Sequence, residues 1–210
     1  MINHVIFDID GVLVESVEAN HASLLSTMRE FGFAIDNSDF IKLPIPTTEK
    51  LRYLEETQNI KLTDDERNMF SKIKYERLLD NFHLIKINEY TFGCLRQLQL
   101  LGIGVSYVSN ARTDYIRTVL NLFGISNPDI LGNDSGLKFK PAPDMFLRIA
   151  AERKLPNYEI LVVEDTDDTI LNAVTEGFKT FKVREFADLL LLPGTIDEHN
   201  YTHGRSRESI

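Results

Sequence analysis

Three short stretches of the chain place acidic, hydroxyl or amide side chains directly after an apolar run. They are Asp8-Ile9-Asp10-Gly11 after residues 4–7, Ser109-Asn110 after residues 103–108, and Glu164-Asp165 after residues 160–163. Lys140, followed by Pro141, is the cation best suited to join them. Carboxylates held close together repel one another and require positive charge. Oxygen ligands without paired His or Cys indicate a hard ion, for which Mg2+ is the usual choice. Mg2+ binds through one or two carboxylates plus a substrate phosphate. A hydroxyl, an amide and an ammonium suit the remaining phosphate oxygens. One carboxylate can attack phosphorus to give an aspartyl-phosphate. A second, two residues on, can pass protons to the leaving group and take them from water. Gly11 lets the chain turn away sharply after the pair.

These residues need elements that bring them together. The run His4-Val5-Ile6-Phe7 is apolar without alternation, as expected of a strand buried on both faces of a parallel sheet. Residues 103–108, 160–163 and 180–183 read the same way, and 129–131 more weakly. Helical patterns lie between them. Residues 115–123 carry Ile116, Val119, Leu120 and Phe123 and stop at Gly124, and residues 167–176 carry Ile170, Ala173 and Val174 and stop at Gly177. Alternating strands and helices predict an α/β fold, a Rossmann-like three-layer core on a parallel sheet. In such sheets ligands bind at the carboxyl ends of the strands, where all three stretches fall.

Between the first two strands the pattern is helical throughout. Residues 16–31 carry Val17, Leu24, Leu25, Met28 and Phe31 before Gly32. Pro44 and Pro46 interrupt the chain, and Thr47 or Thr48 is placed to cap the next helix. Thr63-Asp64-Asp65-Glu66 is a capping box ahead of Met69, Phe70, Ile73, Leu78 and Leu79. The expected organisation is therefore a core of residues 1–14 and 86–195, a small all-helical domain of residues 15–85, and a polar, flexible tail over 196–210.

Composition narrows the function classes. The 210 residues suffice to bury about 70% of the unfolded surface without a disulfide or structural metal. A formal charge of −9 argues against polymeric nucleic acid or an anionic membrane as partner. No apolar run approaches the roughly 20 residues of a membrane span, and the first residues do not resemble a signal peptide. The single cysteine, Cys94, has no internal partner, which suits a reducing, cytoplasmic setting.

The segment Asp8-Ile9-Asp10-Gly11-Val12-Leu13-Val14-Glu15-Ser16 resembles the first motif of the haloacid dehalogenase superfamily. Ser109-Asn110 resembles its second, Lys140-Pro141 its third and Glu164-Asp165 its fourth, in the family's order. The helical insertion resembles the cap that relatives carry at that position. The resemblance implies a nucleophile and metal ligand at Asp8, and a general acid/base at Asp10 that also offers its backbone carbonyl to the metal. It implies phosphoryl binding by Ser109 and Lys140, aided by backbone N–H groups of Ile9 and Asn110. Metal ligation by Asp165, with Glu164 beside it, completes the set. Members that dehalogenate lack the second aspartate, so Asp10 favours phosphoryl transfer. The expected activity is a Mg2+-dependent phosphatase for small phosphorylated metabolites: sugar phosphates, phosphoglycolate-like acids or nucleoside monophosphates. The expected assembly is a monomer or homodimer. A phosphosugar mutase, a phosphonate-cleaving enzyme and a non-catalytic phospho-ligand module are the alternatives.

Some positions depart from the family pattern. Thr169 stands where Gly is common, and Asn20, followed by His21, stands where a histidine is frequent. Thr47 aligns with an arginine of the mutases, which lowers that alternative. Thr166 is placed to cap the helix after the fourth motif. Asp167, Asp168, Arg112, His21, Lys72 and Lys74 are secondary candidates for the site, and Cys94 and His4 read as buried structural residues.

Overall fold

A computed structural model describes residues 1–34 and 47–204. Pro44 and Pro46 lie outside these residues. The chain divides into two compact units, Met1–Val14 with Ile87–Ile210, and Glu15–Lys86.

The first unit is built on a five-stranded sheet. Its strands are β1 (His4–Phe7), β4 (Gly104–Val108), β5 (Ile130–Leu131), β6 (Ile160–Glu164) and β7 (Lys179–Lys182), in the order β5-β4-β1-β6-β7. Every pairing is parallel, with His4 opposite both Gly104 and Ile160, and Phe7 opposite both Tyr107 and Val163. All four residues of β1 are buried, so both faces of the central strand are covered, which explains its unbroken apolar run. On one face Ile6, Ile160 and Val162 pack against Met145, Phe146 and Ile149 of the helix Asp144–Arg153. The parallel register sets the ends of β1, β4 and β6 side by side, and the three chemical stretches leave the sheet there.

Eight α-helices occur among the described residues: α1 (Val17–Glu30), α2 (Thr47–Gln58), α3 (Asp64–Asp80), α4 (Thr91–Leu100), α5 (Thr113–Leu122), α6 (Asp144–Arg153), α7 (Asp167–Thr175) and α8 (Leu192–Gly204). The first three form the second unit, around a core of Leu24, Met28, Phe33, Leu51, Leu54 and Phe70. Phe31 and Phe33 meet the Phe70 ring edge-on at 5.1 and 6.0 Å. The capping box forms as expected. Thr63 Oγ1 accepts from the Glu66 N–H at 3.2 Å, and Glu66 Oε2 accepts from the Thr63 N–H at 2.7 Å. The chain leaves and re-enters the first unit through β2 (Val14–Glu15) and β3 (Lys86–Ile87), which pair with each other.

The expectation of a flexible tail from residue 196 is corrected for residues 196–204, which belong to α8. Leu192 and Ile196, one turn apart, are both buried. Pro193 falls in the first turn, where its missing N–H has no helical partner to lose. The Asn200 side chain donates to the Ile2 carbonyl at 2.9 Å. Residues 205–210 lie outside the described residues.

Candidate active site

The site begins where β1 ends. The Asp8 N–H still donates to Val163 O at 3.0 Å, so the Asp8 backbone is fixed by the sheet. The chain then turns within four residues. The Ile9 carbonyl accepts from the N–H groups of Leu13 (2.9 Å) and Val14 (3.1 Å), and the Gly11 N–H donates to Val14 O at 2.7 Å. Gly11 has φ +86°, and a Cβ there would lie 2.2 Å from Asp165 Oδ2. Glycine is thus required twice, by the left-handed backbone and by the approach of the Asp165 carboxylate. The buried Asn88 secures the turn from below: its Nδ2 donates to Val12 O at 2.8 Å and its N–H to Leu13 O at 2.9 Å.

Lys140 is the centre of the charge arrangement. Its Nζ lies 2.6 Å from Asp8 Oδ1 and 2.7 Å from Glu164 Oε2, with all three side chains buried. Burial pulls the Lys140 ammonium down, but the Asp8 and Glu164 charges outweigh it, and its pKa is raised. Asn110 holds the Lys140 backbone from both sides: Nδ2 donates to Lys140 O and Oδ1 accepts from Lys140 N–H, each at 2.8 Å. The Asn110 amide therefore positions the lysine. Ser109, 2% exposed, continues β4 and accepts at Oγ from the Ala111 N–H at 3.0 Å.

At the end of β6, Glu164 Oε1 accepts from the Asp165 N–H at 3.1 Å and from Thr166 Oγ1 at 3.0 Å, while Oε2 faces Lys140. Thr166 occupies the N-cap of α7 but makes no side-chain capping bond, contrary to the sequence expectation, because its hydroxyl is committed to Glu164 and Thr169.

The carboxylates of Asp8, Glu164 and Asp165 each offer an oxygen, and these atoms lie within 4.8 Å of one another. Their titration reflects the crowding. Burial, and then the Glu164 charge, push Asp8 well above the ordinary carboxylate range. Burial, and then Glu164, raise Asp165 to about 7. Burial would also raise Glu164, but the Lys140 ammonium outweighs it and holds Glu164 at about 2. Lys140 thus pairs with two of the three carboxylates, and Asp8 and Asp165 are disfavoured as anions. A hard divalent cation fits this donor set, since the ligands are all oxygen and the charge deficit is negative.

The Asp10 carboxylate is not in that trio. Its Oδ1 accepts from the Tyr115 hydroxyl, 2.9 Å away, from the first turn of α5. Sequence reading missed Tyr115, which sits in the apolar stripe of its helix. The available signal was its hydroxyl, which must find a partner when the ring is buried.

The secondary candidates divide. Asp167 forms an ion pair with Lys182, and Asp168 is exposed in the first turn of α7. Arg112 is exposed, 3.3 Å from Asp114. His21, Lys72 and Lys74 belong to the helical unit, where Lys74 Nζ donates to Asn20 Oδ1 at 2.5 Å. Cys94 and His4 are buried, as expected.

Known proteins resemble this chain in sequence and in fold. The profile of the haloacid dehalogenase-like hydrolases matches residues 5–183. A protein named "Putative pyrophosphatase PpaX", from Caldanaerobacter subterraneus subsp. tengcongensis, is 27% identical over 198 residues, covering 87% of this chain and 82% of the relative. A phosphoglycolate phosphatase of Vibrio vulnificus is 25% identical over 193 residues, covering 83% and 80%. Among solved structures, one described as "a predicted phosphoglycolate phosphatase" from Haemophilus somnus superposes with a TM-score of 0.74 at 20% identity, covering 91% of this chain and 97% of that one. At that identity the likeness speaks for the fold.

Proposed function

The chain belongs to the haloacid dehalogenase-like hydrolases, and from that premise we propose that it is a Mg2+-dependent phosphatase acting on small soluble phosphomonoesters. One observation carries the proposal: a buried lysine bridges Asp8 and Glu164 within a cluster of three carboxylates at the ends of adjacent parallel strands. Asp8 is the nucleophile, fixed by the sheet and charge-balanced by Lys140. Asp8, Asp165 and the backbone carbonyl of Asp10 are the proposed metal ligands, with Glu164 beside them. Glu164 anchors Lys140 and the fourth-motif loop. When bound, Mg2+ would supply Lewis-acid charge to the phosphoryl oxygens.

The chemistry then follows in two displacements. An Asp8 carboxylate oxygen bonds to phosphorus as the ester P–O bond breaks, and Asp10 gives its proton to the leaving oxygen. Water next bonds to phosphorus, its proton passing to Asp10, and the Asp8–phosphorus bond breaks to release phosphate. Ser109, Lys140 and the N–H groups of Ile9 and Asn110 face the phosphoryl oxygens as fixed donors.

The helical unit Glu15–Lys86 is the proposed cap and the source of substrate selection. The phosphoglycolate phosphatase among the relatives supports phosphoglycolate-like acids as one substrate class, and sugar phosphates and nucleoside monophosphates are the other classes proposed. No helix among the described residues is long and apolar enough to cross a membrane. The buried, unbridged Cys94 supports a cytoplasmic setting, with the chain acting as a monomer or homodimer.

The test is phosphate release from a panel of such esters, with Mg2+ or with EDTA, for the native protein and Asp8→Asn. Metal-dependent release that the substitution lowers by at least about 1,000-fold is expected. Undiminished release by the variant contradicts the assignment.

A further inference from the structure

We infer that Tyr115 is a positioning residue for the proton-transfer step, fixing the carboxyl group of Asp10 through its hydroxyl. The inference rests on the reading of Asp10 as general acid/base. Tyr115 is 1% exposed and its ring is locked in the packed face of α5, so the hydroxyl is a fixed point. Asp10 is in a different situation. It is half-buried, on the turn between Asp8 and Gly11, outside the group formed by Asp8, Glu164 and Asp165. An acid that must reach a leaving oxygen needs one orientation.

The 2.9 Å bond from the Tyr115 hydroxyl to Asp10 Oδ1 sets that orientation. It also divides labour between the two oxygens. Oδ1 accepts from the phenol, and the other oxygen carries the transferable proton. In the first displacement that oxygen gives its proton to the departing alkoxide as the Asp8–phosphorus bond forms. In the second it takes a proton from the attacking water. The phenol keeps its own proton in both steps, so the hydrogen bond persists while Asp10 cycles between acid and carboxylate. Asp134 holds the start of α5 in place, accepting from the Thr113 N–H and hydroxyl at 3.0 and 2.6 Å. The phenol is thereby tied to the frame of the sheet.

Leaving-group dependence separates this role from a structural one. An alkyl phosphate leaves as a basic alkoxide and needs the acid, whereas p-nitrophenyl phosphate leaves as a stable phenolate and needs it little. First-turnover release of the alcohol and of nitrophenol is measured on single preparations of native protein, Tyr115→Phe and Asp10→Asn. The ratio of the two rates within one preparation is independent of its folded fraction. Tyr115→Phe is expected to lower alkyl ester cleavage by about 10-fold or more, and aryl cleavage by no more than about 3-fold. Asp10→Asn is expected to show the same selectivity at greater size. Equal losses on both esters in Tyr115→Phe, or no loss, overturn the inference while a selective Asp10→Asn leaves the acid/base reading standing. An Asp10→Asn variant without selectivity removes that reading, and the inference falls with it.

Discussion

At the residue scale the site is defined by charges that are individually unfavourable. Asp8 and Asp165 are held above their ordinary range chiefly by burial, and Lys140 pairs with Asp8 and with Glu164, the third member of the trio. Such strain is a common property of sites that bind or react. Gly11 shows how tightly the backbone is adapted to it. Gly11→Ala would place a methyl group against the Asp165 carboxylate in a left-handed conformation. We predict a stability loss of about 1–3 kcal/mol by urea denaturation. Phosphatase activity should fall with it, because Asp165 must move to make room. Normal stability and activity in this variant would mean that the turn after Asp8 is not constrained as described. The residue types of this cluster were legible in the sequence, because carboxylates directly after apolar runs have no packing role. Tyr115 was not, because its apolar ring satisfies the helical pattern and conceals the hydroxyl's destination.

At the scale of elements, β1 carries chemistry at one end and a buried polar network at the other. His4 Nε2 lies 2.7 Å from Ser106 Oγ, Ser106 donates to Asp129, and Arg153 pairs with Asp129. The ring lies so close to Gly104 that a Cβ there would meet His4 Nδ1 at 2.4 Å. Burial, and then the Arg153 charge, lower His4 to about 4. Between pH 6.5 and about 4 the unfolded chain takes up a proton at this position that the folded chain refuses. Stability from this residue is therefore complete above pH 6.5 and falls as pH drops through that window. The contribution is at most about 3 kcal/mol. Urea denaturation at pH 7 and pH 4.5 should show the loss in native protein and a smaller one in His4→Gln. An equal loss in both would place the acid sensitivity elsewhere. The strands were legible because parallel pairing buries both faces and leaves an unbroken apolar run. The helix α8 was not, because only Leu192 and Ile196 mark its buried side early in a polar segment and the later anchor is a single amide, Asn200.

At the scale of the molecule, the chain falls into two compact units. The sheet unit contains every residue of the proposed chemistry, and the helical unit is inserted after β1 between β2 and β3. Four motifs spread from residue 8 to residue 165 become one cluster because β4, β1 and β6 are neighbours in parallel register. That convergence follows from the general rule for open parallel sheets, so the order of the motifs in the sequence already implied it. Substrate choice was less legible, because it depends on the shape of loops and helix faces that no short motif encodes. In the proposed reaction Asp8 becomes covalently phosphorylated during turnover. This step is tested most directly by acid-quenching the enzyme in the presence of Mg2+ and a cleaved phosphomonoester, then locating any phosphoryl adduct by peptide mass spectrometry. An adduct on Asp8 that is absent in Asp8→Asn is expected. Phosphate release at the native rate from Asp8→Asn, or an adduct on a different residue, would contradict it.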